Sequence, residues 1–333
     1  MISADRSRNI ATVAEMQIER TYDYGGEVDW QSIADRMGEA ALRKRIHKQN
    51  RNAHSSVRGI RFFTRELIKH AAQCGFTVCG LAALGRRNFR DIQVVHQSVS
   101  LKQLPEELVG LKILQLSDLH IDLDPQLAEI IAERVSGLEY DVAVITGDFR
   151  NKNTGDITPA LEGTRTVLKA LCGTVYGILG NHDDLEIAVG LEALGMRMLL
   201  NEAVEVSVGN DSCWLCGIDD PHYFQTHDIQ RSLQSVPADA FKILLSHSPE
   251  TYQEAADAGF DYFFCGHTHG GQICLPGGVP VITRSDSPRW CARGGWEWQG
   301  MSGYTSTGTG GCGAALRLNC PPEVVVHELL KGD

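Results

Sequence analysis

No stretch of this 333-residue chain is a clean hydrophobic run long enough to cross a bilayer. The nearest candidate, Leu67 to Leu84, is interrupted by Lys69, His70 and Gln73 and reads as a buried or interfacial helix. No export signal is expected from Met1 to Trp30, which is largely polar without an apolar core segment. The ten cysteines are scattered rather than paired. Cys213 and Cys216 form a CxxC, but no second pair follows, and strand alternation directs the two thiols to opposite faces, which argues against a zinc site. Scattered thiols without a secretory signal predict reduced cysteines and a cytoplasmic location. No internal repeat is present. Positive charge is scarce: 31 Lys and Arg face 42 Asp and Glu, and the net charge of -11 argues against a protein that coats nucleic acid.

The scarce positive charge is concentrated. Residues 43, 44, 45, 48, 51, 58, 61, 65 and 69 are all Lys or Arg, with Glu66 the one acid among them. Such a run reads first as a solvated helix and linker, and second as a peripheral membrane contact. Helices are expected around Val13–Arg20 and Asp29–His47, and residues 1–90 form a polar, basic helical extension to a second domain at 91–333. Within that domain Ile92–Leu101 alternates as a strand, and from Leu111 onward strand, loop and helix repeat. Strands are expected at 113–116, 142–145 and 175–179, with helices at 125–135, 158–171 and 185–194. After Gly195 short strands dominate: 198–200, 204–208, 213–218, 241–245, 262–265, 279–282, 303–307, 314–318 and 324–329. This order predicts an α/β protein of two packed sheets with helices outside. The glycine-rich stretch Arg284–Gly313, with Trp290, Trp296 and Trp298, reads either as a loop over a site or as an irregular packed connection.

Five hydrophobic runs end in polar clusters: LKILQLSDLH, YDVAVITGDF, TVYGILGNHDD, FKILLSH and DYFFCGHTH. The metal-ligand candidates are Asp118, His120, Asp148, Asn181, His247, His267 and His269, with His182 beside them. In open α/β sheets, ligands sit beyond the carboxyl ends of the strands, so these clusters converge on one site. In extended chain Asp118 and His120, two apart, leave on the same side, and so do His267 and His269. Gly147 permits close backbone approach, and Asp148 is the natural bridging carboxylate. Oxygen and imidazole donors without a thiolate suit Mn, Fe, Zn or Mg. So many donors exceed the needs of one ion, which predicts a pair sharing a carboxylate. Two ions about 3.5–4 Å apart bind a hydroxide between them and clamp a phosphoryl oxygen. His182, next to a ligand but directed elsewhere, is the candidate general acid. His222 and His227 read as surface-loop residues, His327 as an ordinary histidine, and Asp122, Asp183 and Asp184 as capping or supporting groups.

These residues resemble the calcineurin-like metallophosphoesterase family. Its succession of DxH, GD, GNH[DE], H and GHxH stands here as Asp118–His120, Gly147-Asp148, Gly180–Asp183, His247 and Gly266–His269. GHTHGGQ and the closing LRLNCPPEVVVHEL resemble its bacterial YkuE/YaeI-like phosphodiesterase branch. The resemblance implies a four-layer αββα sandwich of two mixed sheets. It implies one ion held by Asp118, His120, Asp148 and His269, and a second by Asp148, Asn181, His247 and His267. The expected activity is phosphodiester hydrolysis of a small-molecule substrate by a metal-bridging hydroxide, with His182 as acid. Alternatives are a pyrophosphatase of a lipid-linked nucleotide sugar (UDP-diacylglucosamine type) at the membrane surface and a non-catalytic metal-binding scaffold.

Overall fold

The structure, a computed structural model, describes residues 28–55, 80–208 and 211–332. The helix expected at Val13–Arg20, the turn residues Gly209 and Asn210, most of the Leu67–Leu84 stretch and the basic residues from Arg58 to Lys69 lie outside these. Among the described residues no helix is long and apolar enough to cross a membrane.

Helices α1 (Trp30–Met37) and α2 (Glu39–Ser55) divide at Gly38, whose φ of 92° interrupts what the sequence presents as one helix. α3 (Leu81–Arg90) precedes β1 (Gln93–Leu101). Then β2 (Lys112–Leu116), α4 (Leu127–Val135), β3 (Val142–Ile145), α5 (Thr158–Ala170), β4 (Val175–Gly177), α6 (Leu185–Ala193) and β5 (Arg197–Met198) alternate as expected. β6 (Glu202–Val208), β7 (Asp211–Gly217), α7 (Ile229–Ser232), β8 (Lys242–Leu245), α8 (Tyr252–Asp257) and β9 (Tyr262–Cys265) follow. The chain closes with the short β10 (Cys274–Leu275) and β11 (Val279–Pro280), then β12 (Gly294–Trp298), β13 (Met301–Thr305) and β14 (Glu323–Lys331).

One six-stranded sheet runs β1-β14-β2-β3-β4-β5, and a second runs β12-β13-β9-β8-β7-β6. Both are mixed: β14 is antiparallel to β2, whereas β2, β3 and β4 are parallel, as are β7, β8 and β9. Parallel strands covered on both faces read as continuous apolar runs, which is why 113–116 and 142–145 show little alternation. Their two faces still separate by parity. Ile113, Val142 and Val144 meet Leu215, Ile243 and Phe264 between the sheets, while Leu114, Leu116 and Ile145 meet the outer helices. Leu244 and Phe263 pack against Tyr252, Ala255 and Ile229 on the other outer face. Two sheets with helices on both outer faces make the expected four-layer sandwich.

The register positions the functional loops. Leu116 stands opposite Ile145, and Ile145 opposite Gly177, so β2, β3 and β4 release their loops at one level. In the second sheet Leu245 is opposite Phe264, which does the same for β8 and β9.

Several expectations change. Ala314–Leu318 is not a strand and keeps one bridge, Ile273 to Leu318, because the buried Arg317 side chain turns inward to backbone carbonyls. The tryptophan stretch holds the β12–β13 hairpin, with Trp296 buried and its indole N–H donating to Thr305 Oγ1 at 2.9 Å. Cys213 and Cys216 enter different core layers, as alternation requires. The basic N-terminal helix is not solvated all round: Leu42, Arg45 and Ile46 are buried, and α1 and α2 join the outer helical layer.

Candidate metal centre

The loops after β2, β3, β4, β8 and β9 carry all eight candidates, so both sheets contribute to one site. Backbone hydrogen bonds lace the loops together: the Asp118 N–H donates to the Gly147 carbonyl at 2.9 Å, His120 N–H to Asp148 O at 3.0 Å, and Gly266 N–H to His247 O at 2.9 Å. The loops are not extended, which corrects the side-sharing argument. Asp118 (φ 51°), His120 (φ 39°), Asp148 (φ 57°), His267 (φ 70°) and His269 (φ 50°) all adopt left-handed backbone. Each such non-glycine residue costs of order 1 kcal/mol or more, held by surrounding structure. The tight reversals, rather than strand parity, bring the side chains inward. A side chain at Gly147 (φ 88°) would stand 2.6 Å from the Gly180 nitrogen and 2.8 Å from His247 Nδ1. At Gly266 it would fall 1.9 Å from Ser117 Oγ.

Donor atoms converge around Asp148. Its Oδ2 lies 3.4 Å from His120 Nε2 and 3.3 Å from His247 Nε2. His269 Nε2 is 3.4 Å from Asp118 Oδ1 and 3.2 Å from His120 Nε2, and Asn181 Oδ1 is 3.1 Å from His247 Nε2. Among the described residues four groups of three have all their donor atoms within 4.8 Å of one another, and two of them centre on the Asp148 carboxylate: Asp118, His120 and Asp148, and Asp148, His247 and His267. Asp148 belongs to both.

The opposite ring nitrogens are committed to the backbone. His120 Nδ1 meets Arg150 O at 2.8 Å, His247 Nδ1 meets Thr146 O at 2.8 Å, and His267 Nε2 meets Arg284 O at 3.0 Å. In each pair the N–H donates to the carbonyl, which leaves the site-facing nitrogens of His120 and His267 as bare lone pairs and directs His247 Nε2 at the Asp148 carboxylate. Bare imidazole nitrogens and buried carboxylates that no Lys or Arg pairs among the described residues form a donor set suited to cations. The residues therefore fit a pair of ions.

Electrostatics agree. Burial pushes the Asp118 carboxyl up to about 6 and the imidazoles of His120 and His267 down to about 3. Burial is also the largest influence on His247 and His182 and opposes their charge, but the Asp148 carboxylate, joined by Asp118 and Asp220 at His247 and by Cys312 and the Asn151 carbonyl at His182, raises both, His182 to about 10. His182 Nδ1 donates to Asn151 O at 2.6 Å, and its backbone N–H donates to Asp148 Oδ1 at 2.8 Å.

Other residues hold this arrangement. The buried Asp183 carboxylate accepts from Asp148, Phe149 and Gly180 N–H groups, the supporting role expected of it. Asp184 pairs with Arg150 at 2.5 Å, while Arg150 Nε donates to the His182 carbonyl. Asp122 accepts from Asn151 and Lys152 N–H groups. From α2, Arg45 reaches the far side of the GNHD loop, paired with Asp219 at 2.5 Å and donating to Asp183 O at 2.8 Å. Nothing in its helical context marked Arg45 out from its basic neighbours. His222, expected on a surface loop, is half-buried with its ring 4.2 Å from that of His267 and its Nδ1 2.8 Å from Glu250. Cys312, which the sequence reading passed over, brings a thiol within 3.7 Å of His182 Nε2.

The sequence profile of the calcineurin-like phosphoesterases matches residues 111–271, the span that carries all these loops. Those residues form a calcineurin-like phosphoesterase domain. The chain is a metal-dependent phosphoesterase. It is 28% identical over 253 residues to the uncharacterized metallophosphoesterase YkoQ of Bacillus subtilis, covering 73% of this chain and 92% of that one. It is 29% identical over 231 residues to the phosphodiesterase YaeI of Escherichia coli, covering 66% and 82%. It is also similar to the UDP-2,3-diacylglucosamine pyrophosphatase LpxG of Chlamydia trachomatis, 27% identical over 281 residues and covering 67% and 84%.

Proposed function

We propose that this chain, with its calcineurin-like phosphoesterase domain, is a dinuclear phosphodiesterase. The observation that carries the reading is the sharing of Asp148 between two donor groups. Asp118, His120 and His269 would complete one side, and Asn181, His247 and His267 the other. Ions held there supply Lewis-acid polarisation of a phosphoryl oxygen and a water of lowered pKa. The chain's own contribution is orientation and proton supply. His182, fixed through Nδ1 to Asn151 O, presents Nε2–H toward the site and protonates the departing oxygen as the P–O bond breaks. Asn181 donates a neutral oxygen, so the second group carries less negative charge than the first.

The test is hydrolysis of an aryl phosphodiester after chelation and readdition of Mn²⁺. Activity that returns with metal, and is lost in Asp148→Ala and Asn181→Ala, supports the reading. No hydrolysis with Mn²⁺, Fe²⁺, Zn²⁺ or Mg²⁺ would overturn it.

A second reading, a pyrophosphatase of a lipid-linked nucleotide at an anionic membrane surface, is favoured by a specific feature. The β10–β11 hairpin and the residues after it expose Leu275, Val279, Val281 and Ile282, each at least half accessible. Exposed Arg284, Arg289 and Arg293 follow closely, with Asp286 the one acid between them. The end of the hairpin at Pro280 and Ile282 abuts Gly271, and Arg284 O accepts from His267, so the segment that carries Val281 and Ile282 lies beside the site. Clustered apolar side chains with basic neighbours suit lipid better than water. Sedimentation with phosphatidylglycerol vesicles that is lost in V281S/I282S supports it, and failure to sediment with such vesicles counts against it.

A further inference from the structure

We infer that Cys312 is a thiolate ligand of the ion that Asp118, His120, Asp148 and His269 would hold. The inference rests on the metal-centre reading above and extends its donor set from oxygen and nitrogen to sulphur.

The geometry singles out this cysteine. Its Sγ and the facing nitrogens of His120 and His269 all lie within 4.8 Å of one another. The two nitrogens are already 3.2 Å apart. Neighbouring donors around one five-coordinate ion are separated by roughly 2.8–3.6 Å, given metal–ligand lengths of about 2.0–2.3 Å. The imidazole pair therefore has the required spacing, and the sulphur stands within 4.8 Å of both nitrogens. Among the described residues Cys213, Cys216, Cys265, Cys274, Cys291 and Cys320 are buried away from solvent and Cys172 is exposed, which leaves Cys312 the half-buried thiol at this rim.

The position of the thiol is built. The Cys312 N–H donates to Gln272 Oε1 at 2.8 Å, and Gln272 Nε2 donates back to the carbonyls of Cys312, Ala314 and Leu316. Next to it, the Gly313 N–H donates to Asn151 Oδ1 at 2.8 Å, the same asparagine whose carbonyl fixes His182. Arg317 clamps the other end of the loop through Gly310 O. Gln272 closes the GHTHGGQ segment, so the residues that supply His267 and His269 also aim Cys312.

Chemistry gives the arrangement a consequence. A thiolate added to imidazole and carboxylate donors moves the site toward zinc, iron or cobalt and away from magnesium. On binding, the S–H bond breaks, the proton passes to solvent, and the sulphur lone pair forms the bond to the ion.

The experiment loads the full chain with Co²⁺ after chelation and records metal content, ultraviolet–visible absorption and alkylation. Wild-type protein should show thiolate-to-cobalt charge-transfer absorption in the near ultraviolet that Cys312→Ser and Cys312→Ala lack. Both variants should retain cobalt with affinity at one ion reduced at least roughly tenfold, the scale on which even supporting residues act. Iodoacetamide should modify Cys312 more slowly in the loaded protein than in the chelated protein, with exposed Cys172 as the internal control. Cobalt bound without that absorption, or Cys312 alkylated equally fast in both forms, overturns the inference and leaves the metal centre standing. Failure to bind cobalt at all overturns both.

Discussion

The Asp183 carboxylate accepts the backbone N–H of Asp148 at 2.8 Å. The same oxygen accepts the Gly180 N–H at 2.9 Å, and its neighbour accepts Phe149 N–H at 3.0 Å. One buried side chain thus ties the loop after β3 to the loop after β4 and sets the spacing between Asp148 and His182. Replacing Asp183 by Ala strands three buried N–H groups, each costing about 1–3 kcal/mol. Metal affinity should fall about 10–100-fold, as for other residues that orient ligands. Asp183→Asn, which keeps one acceptor oxygen, should lose less on both counts. Isothermal titration with Mn²⁺ and urea unfolding measure the two; equal affinity in wild type and Asp183→Ala would contradict the role.

Arg45 makes the N-terminal helices part of the catalytic framework. It is fully buried, pairs with the equally buried Asp219 and lies over the Phe224 ring at 3.9 Å. Removing one partner of such a pair leaves the other charge buried, at about 3–5 kcal/mol. Arg45→Leu should therefore unfold at lower urea, and Arg45→Lys should rescue little because one ammonium cannot reach both Asp219 and the Asp183 carbonyl. A change under about 1 kcal/mol would be the signature of a surface contact.

His327 contributes to acid sensitivity from outside the metal centre. It lies buried between the sheets, Nδ1 3.0 Å from Tyr262 Oη and Nε2 3.1 Å from Gln115 Oε1. Gln115 Nε2 donates to Cys265 O, so its oxygen accepts from His327 Nε2–H, and Nδ1 accepts from the tyrosine. Burial holds this neutral imidazole's pKa down at about 3, below the ordinary 6.5. With the folded pKa depressed, the stabilisation is fully present above pH 6.5 and is lost as pH falls toward 3, with a limiting slope of about 1.4 kcal/mol per unit. His327→Gln should flatten the stability–pH curve between pH 6 and 4 while lowering stability at neutral pH. An unchanged slope in urea titrations across that range would refute it.

Two glycines separate backbone conformation from crowding. Gly147 and Gly155 both have positive φ, but a side chain at Gly155 meets nothing within 4 Å. Gly155→Ala should cost about 1 kcal/mol, the left-handed backbone penalty alone. Gly147→Ala must also displace the Gly180 backbone or His247 and should abolish metal binding. Similar metal contents for the two variants would contradict this.

The sandwich and the convergence of the five clusters were legible because hydrophobic periodicity and strand-end chemistry are both local signals. The continuous runs at 113–116 and 142–145 signalled strands covered on both faces, and what followed each was a polar ligand. What was not legible depended on distant contacts. Ala314–Leu318 alternates like a strand, but Arg317 is drawn inward by carbonyls of the 307–310 loop. Cys312 looked like one of ten scattered thiols until Gln272, forty residues earlier, fixed its loop beside His182. Arg45 was hidden in a basic run because the residue that selects it, Asp219, lies in the other half of the chain. The left-handed backbone at Asp118 and His120 was equally invisible, since glycine is the usual marker of that conformation and neither is glycine.

The most direct test is a crystal structure of the Mn²⁺-loaded protein with phosphate bound. The account predicts two anomalous peaks about 3.5–4 Å apart, flanking Asp148, with a phosphate oxygen facing His182 Nε2. A single ion, or ions seated elsewhere such as between His222 and Glu250, would contradict it.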